Sequence, residues 1–382
     1  MKKILYLHAG AEMYGADKVL RDLIAGLDKS QFEAHVILPN SGVLVEELQK
    51  VGAIVSVLEY PILRRKYFNP KGLFTYITSY TNFSKKIVDY AKKNEIDIIH
   101  NNTTAVLEGI YIKRKLGIPL VWHVHEIIMK PKIIASVINM LMGVYADKII
   151  TVSNAVKSHI QSSKFIKDNQ TQVIYNGVDN SEFFPQDSSK VRRKFKISND
   201  KKIIGMVGRV NAWKGQHDFV KAVTPILKED PSIVAFLAGG VFEGEEWRIQ
   251  ELEELINKTG VKEQIYRIDY YPNPVELYNM YDIFVLPSTN PDPLPTVVLE
   301  AMACGKPIIG YEHGGICEMV NKGYNGLLAL PKDTKKLSEA ISEVLLDQGK
   351  VEQFGRHSIS RQKKYFSLDS YVGNFTELYK KL

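Results

Sequence analysis

Cysteine is nearly missing from this chain of 382 residues: only Cys304 and Cys317 occur, and neither their number nor their spacing supports a disulfide framework or a zinc site. Also missing is any uninterrupted apolar run near the roughly 20 residues that a membrane-spanning helix needs. The N-terminus opens like a secretion signal, with Lys2 and Lys3 before Ile4, Leu5 and Leu7, but His8 and Glu12 arrive before a long apolar core develops. It therefore reads as the first β-strand of a cytoplasmic protein. No low-complexity tract and no short-period repeat occurs.

What is present is enough apolar material for two cores, 45% of residues, in a chain too long for one compact sheet domain. The net charge of +7 favours an acidic partner: a nucleotide diphosphate, an anionic lipid headgroup or a nucleic acid. Nucleic acid is the least expected of these, because the positive charge is spread along the chain and no recognition module is visible.

Short apolar runs recur at residues 4–7, 35–38, 54–58, 98–99, 120–122, 148–152 and 173–175, most of them separated by segments of helical period. That is the alternation of a parallel sheet covered on both faces. The polar stretch 176–200, broken by Pro185, Gln186, Asp187, Ser188 and Ser189, reads as a linker. A second series follows at 203–207, 233–237, 265–268, 283–286, 307–310 and 326–329. The expectation is an α/β protein of two Rossmann-like, doubly wound domains, residues 1–185 and 186–367. A last helix at 368–382 carries Tyr371, Phe375, Leu378 and Tyr379 on one face, so it should pack on a core.

The most informative stretch is 286–310. Leu286 ends an apolar run, Pro291, Pro293 and Pro295 forbid a helix until about Thr296, and Gly305 with Pro307 ends the helix that follows. Thr296 is the expected N-cap, with Asp292 in the loop before the helix and Glu300 within it. Amides at a helix start suit anionic oxygens, and open α/β sheets bind ligands at such strand ends. Asp292 followed after seven residues by Glu300-Ala301-Met302-Ala303-Cys304-Gly305-Lys306-Pro307 resembles the nucleotide-binding signature of the retaining glycosyltransferases of the GT-B fold, in particular the large fourth family.

The resemblance implies two Rossmann-like domains facing across a cleft, with the last helix returning to the N-terminal, acceptor-side domain. It implies that Glu300 binds the nucleotide ribose and Asp292 the hydroxyls of the donor sugar. Asp292 is one methylene shorter than the more usual Glu, which bears on sugar choice, and Pro295 removes an amide that Thr296 can replace. Gly208-Arg209 with Trp213-Lys214-Gly215 looks like the family's element whose cations hold the donor diphosphate. Tyr14-Gly15-Ala16-Asp17 resembles the family's Gly-Gly-Ala-Glu loop, with Tyr for Gly and Asp for Glu, so backbone approach at Gly15 is the part that carries over. Trp122-His123-Val124-His125-Glu126 ends a strand; His125 and Glu126 match the family's His and acid at the donor sugar, and His123 reads as structural. The His123 and His125 spacing also suits a metal, but no third ligand is apparent.

Transfer from a UDP- or GDP-linked sugar with retention of configuration is thereby implied, onto a glycan or lipid-linked acceptor in surface polysaccharide or glycolipid synthesis. No Asp-x-Asp pair occurs in the chain, which fits a leaving group stabilised by Arg209, Lys214 and the helix start, with no metal or other cofactor. Basic and aromatic residues from Arg64 to Phe68 and on through Lys93, with the apolar stretch 127–145, suggest contact with the inner face of a membrane. Two other functions share the phosphate chemistry: a nucleotide-sugar epimerase and a non-catalytic nucleotide-binding subunit.

Overall fold

The computed structural model describes residues 1–13 and 15–382. They divide into two compact units, residues 1–177 with 368–382, and residues 178–367. The division falls ahead of the polar stretch at Pro185 to Ser189. Val178 already donates its amide to Phe366 O at 3.0 Å, and Asn180 Nδ2 donates to Gln362 Oε1 at 2.6 Å, so the segment after Gly177 is tied to the second unit.

The first unit holds seven strands: β1 (Lys2–Leu7), β2 (Phe32–Leu38), β3 (Ile54–Val57), β4 (Ile98–Asn101), β5 (Leu120–Val124), β6 (Lys148–Thr151) and β7 (Thr171–Val173). They form one parallel sheet in the order β3-β2-β1-β4-β5-β6-β7. Ile4, Tyr6, Val36 and Leu38 face a core shared with Leu20, Leu23 and Ile24 of the helix Gly15–Gly26. The helix Leu368–Lys381 closes that core with Tyr371, Phe375 and Tyr379, all at most 1% exposed. Tyr379 Oη also meets His100 Nδ1 at 2.7 Å, a buried polar link between the last helix and β4.

The second unit holds β8 (Lys202–Val207), β9 (Ile233–Ala238), β10 (Ile265–Ile268), β11 (Ile283–Leu286), β12 (Ile308–Tyr311) and β13 (Gly326–Ala329). The parallel order is β10-β9-β8-β11-β12-β13. Both sheets are therefore doubly wound, as two Rossmann-like domains require. In each the strand order reverses beside the first strand, between β1 and β4 and between β8 and β11. Crevices outside the carboxyl ends of such strands are where sheets of this kind take ligands, and the motif residues are gathered there.

Candidate functional site

In the second unit the loop after β8 runs from Gly208 to Gly215. Asn211 Oδ1 accepts from the amides of Trp213 at 3.0 Å and Lys214 at 2.9 Å, which folds the loop back on itself. Gln216, 2% exposed, donates Nε2 to Gly208 O at 3.2 Å and Arg209 O at 2.9 Å and so fixes its base. Gly215 has φ +84°, and a Cβ there would stand 1.9 Å from Pro287 O, so only glycine lets this loop meet the one after β11. A Cβ on Gly208 would meet nothing within 4 Å, which leaves space over the loop's own backbone. Arg209 lies with its guanidinium carbon 3.6 Å from the ring centroid of Phe242. A cavity of about 210 Å³ opens beside the loop, lined among others by Asn211, Gln216 and Thr289.

The loop after β11 brings Asp292 to Lys214. Their Nζ and Oδ2 are 2.5 Å apart, with the side chains only 19% and 13% exposed, so water screens the pair far less than a surface ion pair. The loop is held from outside: Gly315 N donates to Asp292 O at 2.8 Å, and Gly314, at φ +69°, leaves no room for a Cβ beside Asp292. The helix that follows is Thr296–Ala303. Thr296 is its first residue and not its N-cap: Pro295 takes the capping position with no side-chain cap, because its ring already supplies the φ that a helix start needs. The first amides of this helix therefore have no side-chain acceptor from the cap residue. Glu300, 7% exposed, accepts from Tyr278 Oη at 2.5 Å.

In the first unit, His8 follows β1, Asn102 follows β4 and His125 follows β5, three adjacent strand ends. His8 Nε2 lies 2.5 Å from Asp17 Oδ1, His8 Nδ1 lies 3.1 Å from Asn102 Nδ2, and Asn102 Oδ1 lies 3.3 Å from His125 Nε2. Burial, with His8 and His100 nearby, pushes the His125 imidazole down to about 3, so it is neutral. Glu126 belongs to a different arrangement. Its carboxylate accepts from Thr103 Oγ1, from Thr104 N and Oγ1 at 3.3 and 3.2 Å, and from His125 N at 3.2 Å, so it clamps the loop after β4. Burial raises its pKa against those bonds. His123 is fully buried, its ring centroid 4.0 Å from that of His125, and among the described residues neither of its nitrogens has a hydrogen-bond partner. No group of three or more metal-binding side chains gathers among the described residues. Gly15 opens the helix Gly15–Gly26 and is exposed; Tyr14 lies outside the described residues.

Arg209, Lys214, Asp292, Thr296 and Glu300 thus lie around one strand-end crevice of the second unit, and His125 is at the switch point of the first. The partners that hold them are His8, Asp17, Asn102, Asn211, Gln216, Phe242 and Tyr278. Apart from Asp17, which the Tyr14-Gly15-Ala16-Asp17 motif marked, and Asn211, whose place three residues before Lys214 suits a loop-folding turn, these partners carried no sequence signal.

Residues 187–361 match the family model of glycosyl transferases group 1, and residues 13–182 that of glycosyltransferase family 4. The chain is 30% identical over 358 residues to the N,N'-diacetylbacillosaminyl-diphospho-undecaprenol alpha-1,3-N-acetylgalactosaminyltransferase of Campylobacter jejuni, covering 89% of this chain and 88% of that protein. It is 27% identical over 244 residues to the spore coat protein SA of Bacillus subtilis, spanning 61% of this chain and 65% of that protein's length. Among solved structures, HepE of Anabaena in complex with UDP and glucose superposes with a TM-score of 0.86 at 25% identity, over the full length of both chains.

Proposed function

The chain belongs to the group 1 glycosyltransferases, and on that footing we propose that it transfers a sugar from a UDP-linked donor, with retention of configuration, to a lipid-linked glycan of a surface polysaccharide or glycolipid pathway. The observation that carries the reading is the Lys214 and Asp292 pair at the mouth of the helix Thr296–Ala303. It sets a diphosphate-binding cation and a hydroxyl-binding carboxylate at one point.

In this reading Arg209 and Lys214 hold the diphosphate, the guanidinium by its planar fork and the ammonium as a point charge. Thr296 and the first helix amides receive the remaining phosphate oxygens. Glu300, oriented by Tyr278, accepts the ribose hydroxyls, and Asp292 the hydroxyls of the sugar. By the family resemblance His125 is proposed to contact the donor sugar, with Glu126 shaping the loop behind it and Gly15 offering its backbone to the nucleotide. As the sugar–oxygen bond breaks, negative charge collects on the diphosphate, where these fixed cations and amides stabilise it without a metal. UDP is favoured over GDP because HepE is crystallised with UDP. The lipid-linked acceptor is proposed by analogy with the Campylobacter relative, a diphospho-undecaprenol N-acetylgalactosaminyltransferase.

Thermal unfolding in a panel of nucleoside diphosphates tests the donor site. UDP at about a hundred times its Kd should stabilise the protein by about 2.7 kcal/mol, GDP should not, and Arg209→Ala and Glu300→Ala should lose the response. A folded sample indifferent to every diphosphate would sink the reading.

Among the described residues no helix is long and apolar enough to cross a membrane. Contact with a lipid surface is proposed from the first unit instead. Leu73, Phe74 and Ile77 of the helix Pro70–Lys93 are 52%, 74% and 53% exposed, and Arg64, Arg65, Lys66 and Lys71 beside them are exposed as well. The protein should float with anionic vesicles and not with zwitterionic ones, and Phe74→Ser with Arg65→Ser should abolish flotation. Equal behaviour with both vesicle types would refute the lipid surface.

A further inference from the structure

The polar chain at the switch point of the first unit has a direction. We infer that Asp17, acting through His8 and Asn102, fixes the tautomer of His125, so that His125 offers a bare Nδ1 as an acceptor to a hydroxyl of the donor. The inference rests on the proposed meeting of His125 with the donor sugar. Asp17 is a positioning residue two links away from it.

The argument starts from the group with least freedom. An ionised carboxylate only accepts, so the 2.5 Å contact with Asp17 Oδ1 requires a hydrogen on His8 Nε2. On the other side of that ring Asn102 Nδ2, which can only donate, lies 3.1 Å from His8 Nδ1, so that nitrogen accepts with its lone pair. That turns Asn102 Oδ1 to His125 Nε2 at 3.3 Å, which must carry the hydrogen of that ring. Nδ1 of His125 is left without one. Each link has one orientation once the carboxylate is in place.

Little in the surroundings can move. Asp17, His8 and Asn102 are 6%, 3% and 0% exposed. His8 N donates to Tyr60 Oη at 3.0 Å, and Asn102 N donates to Leu7 O at 2.9 Å, so backbone bonds hold both central members. Burial, with His8 and His100 nearby, keeps His125 neutral, so it has one donor and one acceptor, and the choice between them matters. An imidazole presenting Nδ1–H would meet a sugar hydroxyl with the opposite polarity and would favour a different rotation of that hydroxyl.

Asp17→Asn tests this, because an amide can donate to His8 Nε2 and reverse the whole chain, whereas Asp17→Glu keeps a carboxylate. NMR of isotope-labelled histidine nitrogens should show His125 protonated at Nε2 in the parent protein and in Asp17→Glu, and at Nδ1 in Asp17→Asn. In the same Asp17→Asn protein kcat should fall by about tenfold or more with donor KM within about twofold, and Asp17→Glu should restore most of it. UDP affinity should change by less than about twofold, since apart from the Gly15 backbone the groups proposed to bind the nucleotide and diphosphate belong to the second unit.

A parent spectrum with His125 protonated at Nδ1, or with His8 doubly protonated, overturns the inference without any variant. So do tautomers unchanged in a folded Asp17→Asn protein. Tautomers that reverse as described, in a protein that transfers no sugar from any donor, uphold the relay and reject the proposed reaction instead.

Discussion

Asp292→Asn is expected to bind UDP about tenfold more tightly than the parent protein and to transfer sugar about a hundredfold more slowly. The two effects have opposite signs because Asp292 stands in both halves of the proposed donor site. Without a donor, its carboxylate already holds Lys214 at 2.5 Å in a shielded position. An arriving diphosphate has to draw that ammonium away, or share it, while a like charge stays close by. At an effective dielectric near 20, two unit charges about 6 Å apart repel by about 3 kcal/mol, and screening leaves about half of that. Asparagine removes the repulsion, releases Lys214 and keeps the shape. It also removes the charge that would hold the sugar hydroxyls as positive charge develops at the anomeric carbon, a loss felt in the transition state and not by UDP. Lys214→Ala should weaken UDP and slow transfer together. Calorimetric titration with UDP beside a steady-state assay reads both quantities. Weaker UDP binding by Asp292→Asn would mean that the pair itself shapes the diphosphate site, and the exchange described here would be wrong.

The strands were legible because most are short apolar runs buried on both faces, the edge strands β3 and β7 being the more exposed, and all thirteen runs became strands. Edges were less so. The run at 173–175 shifted to Thr171–Val173, since Ile174 is buried without lying in the strand. The helix Thr296–Ala303 was readable from its prolines and Gly305, but its cap was not: a threonine is the better capping side chain, and the proline before it took the position by its fixed φ.

Within the site, residues proposed to meet a ligand were easier to find than residues that hold them. Arg209, Lys214, Asp292 and Glu300 sit in a pattern along the chain. His8 and Asn102 touch across 94 positions, Tyr278 and Glu300 across 22, and Gln216 holds carbonyls seven and eight residues back. The His8 and Asn102 contact exists only after β1 and β4 are set side by side, and the Tyr278 and Glu300 contact only once the helices on either side of β11 are packed, so nothing local announces them. His125 and Glu126 look like a pair, yet one turns to Asn102 and the other to Thr103 and Thr104.

The first unit should lose stability to acid in a stepped manner set by buried imidazoles and opposed chiefly by the Glu108 carboxyl, with Glu126 acting in the same direction as Glu108. Burial pushes His100 and His125 from the ordinary 6.5 down to about 3, and His123 well below its ordinary value. As pH falls below about 6.5 the unfolded chain takes up protons that these folded imidazoles refuse, so stability drops, by about 2 kcal/mol for each of His100 and His125 at about pH 5. Glu108 works the other way. It is fully buried and burial raises it from 4.5 to about 8, so the folded state holds a proton that the unfolded chain releases. Its contribution is complete below about pH 4.5 and is lost as pH rises to about 8, a gain of about 2.5 kcal/mol on going from pH 7 to pH 5. That gain offsets roughly one imidazole, so the loss should be moderate down to about pH 4.5. Below that value Glu108 adds nothing more while the imidazoles continue to about pH 3, and the fall should steepen. Glu108→Gln removes the offset. Its urea midpoint should therefore drop more steeply from about pH 6.5, while exceeding that of the parent protein near pH 8. A midpoint that stays level from neutral pH to about pH 4, or identical profiles for the two proteins, would show that these buried groups do not govern the acid limb.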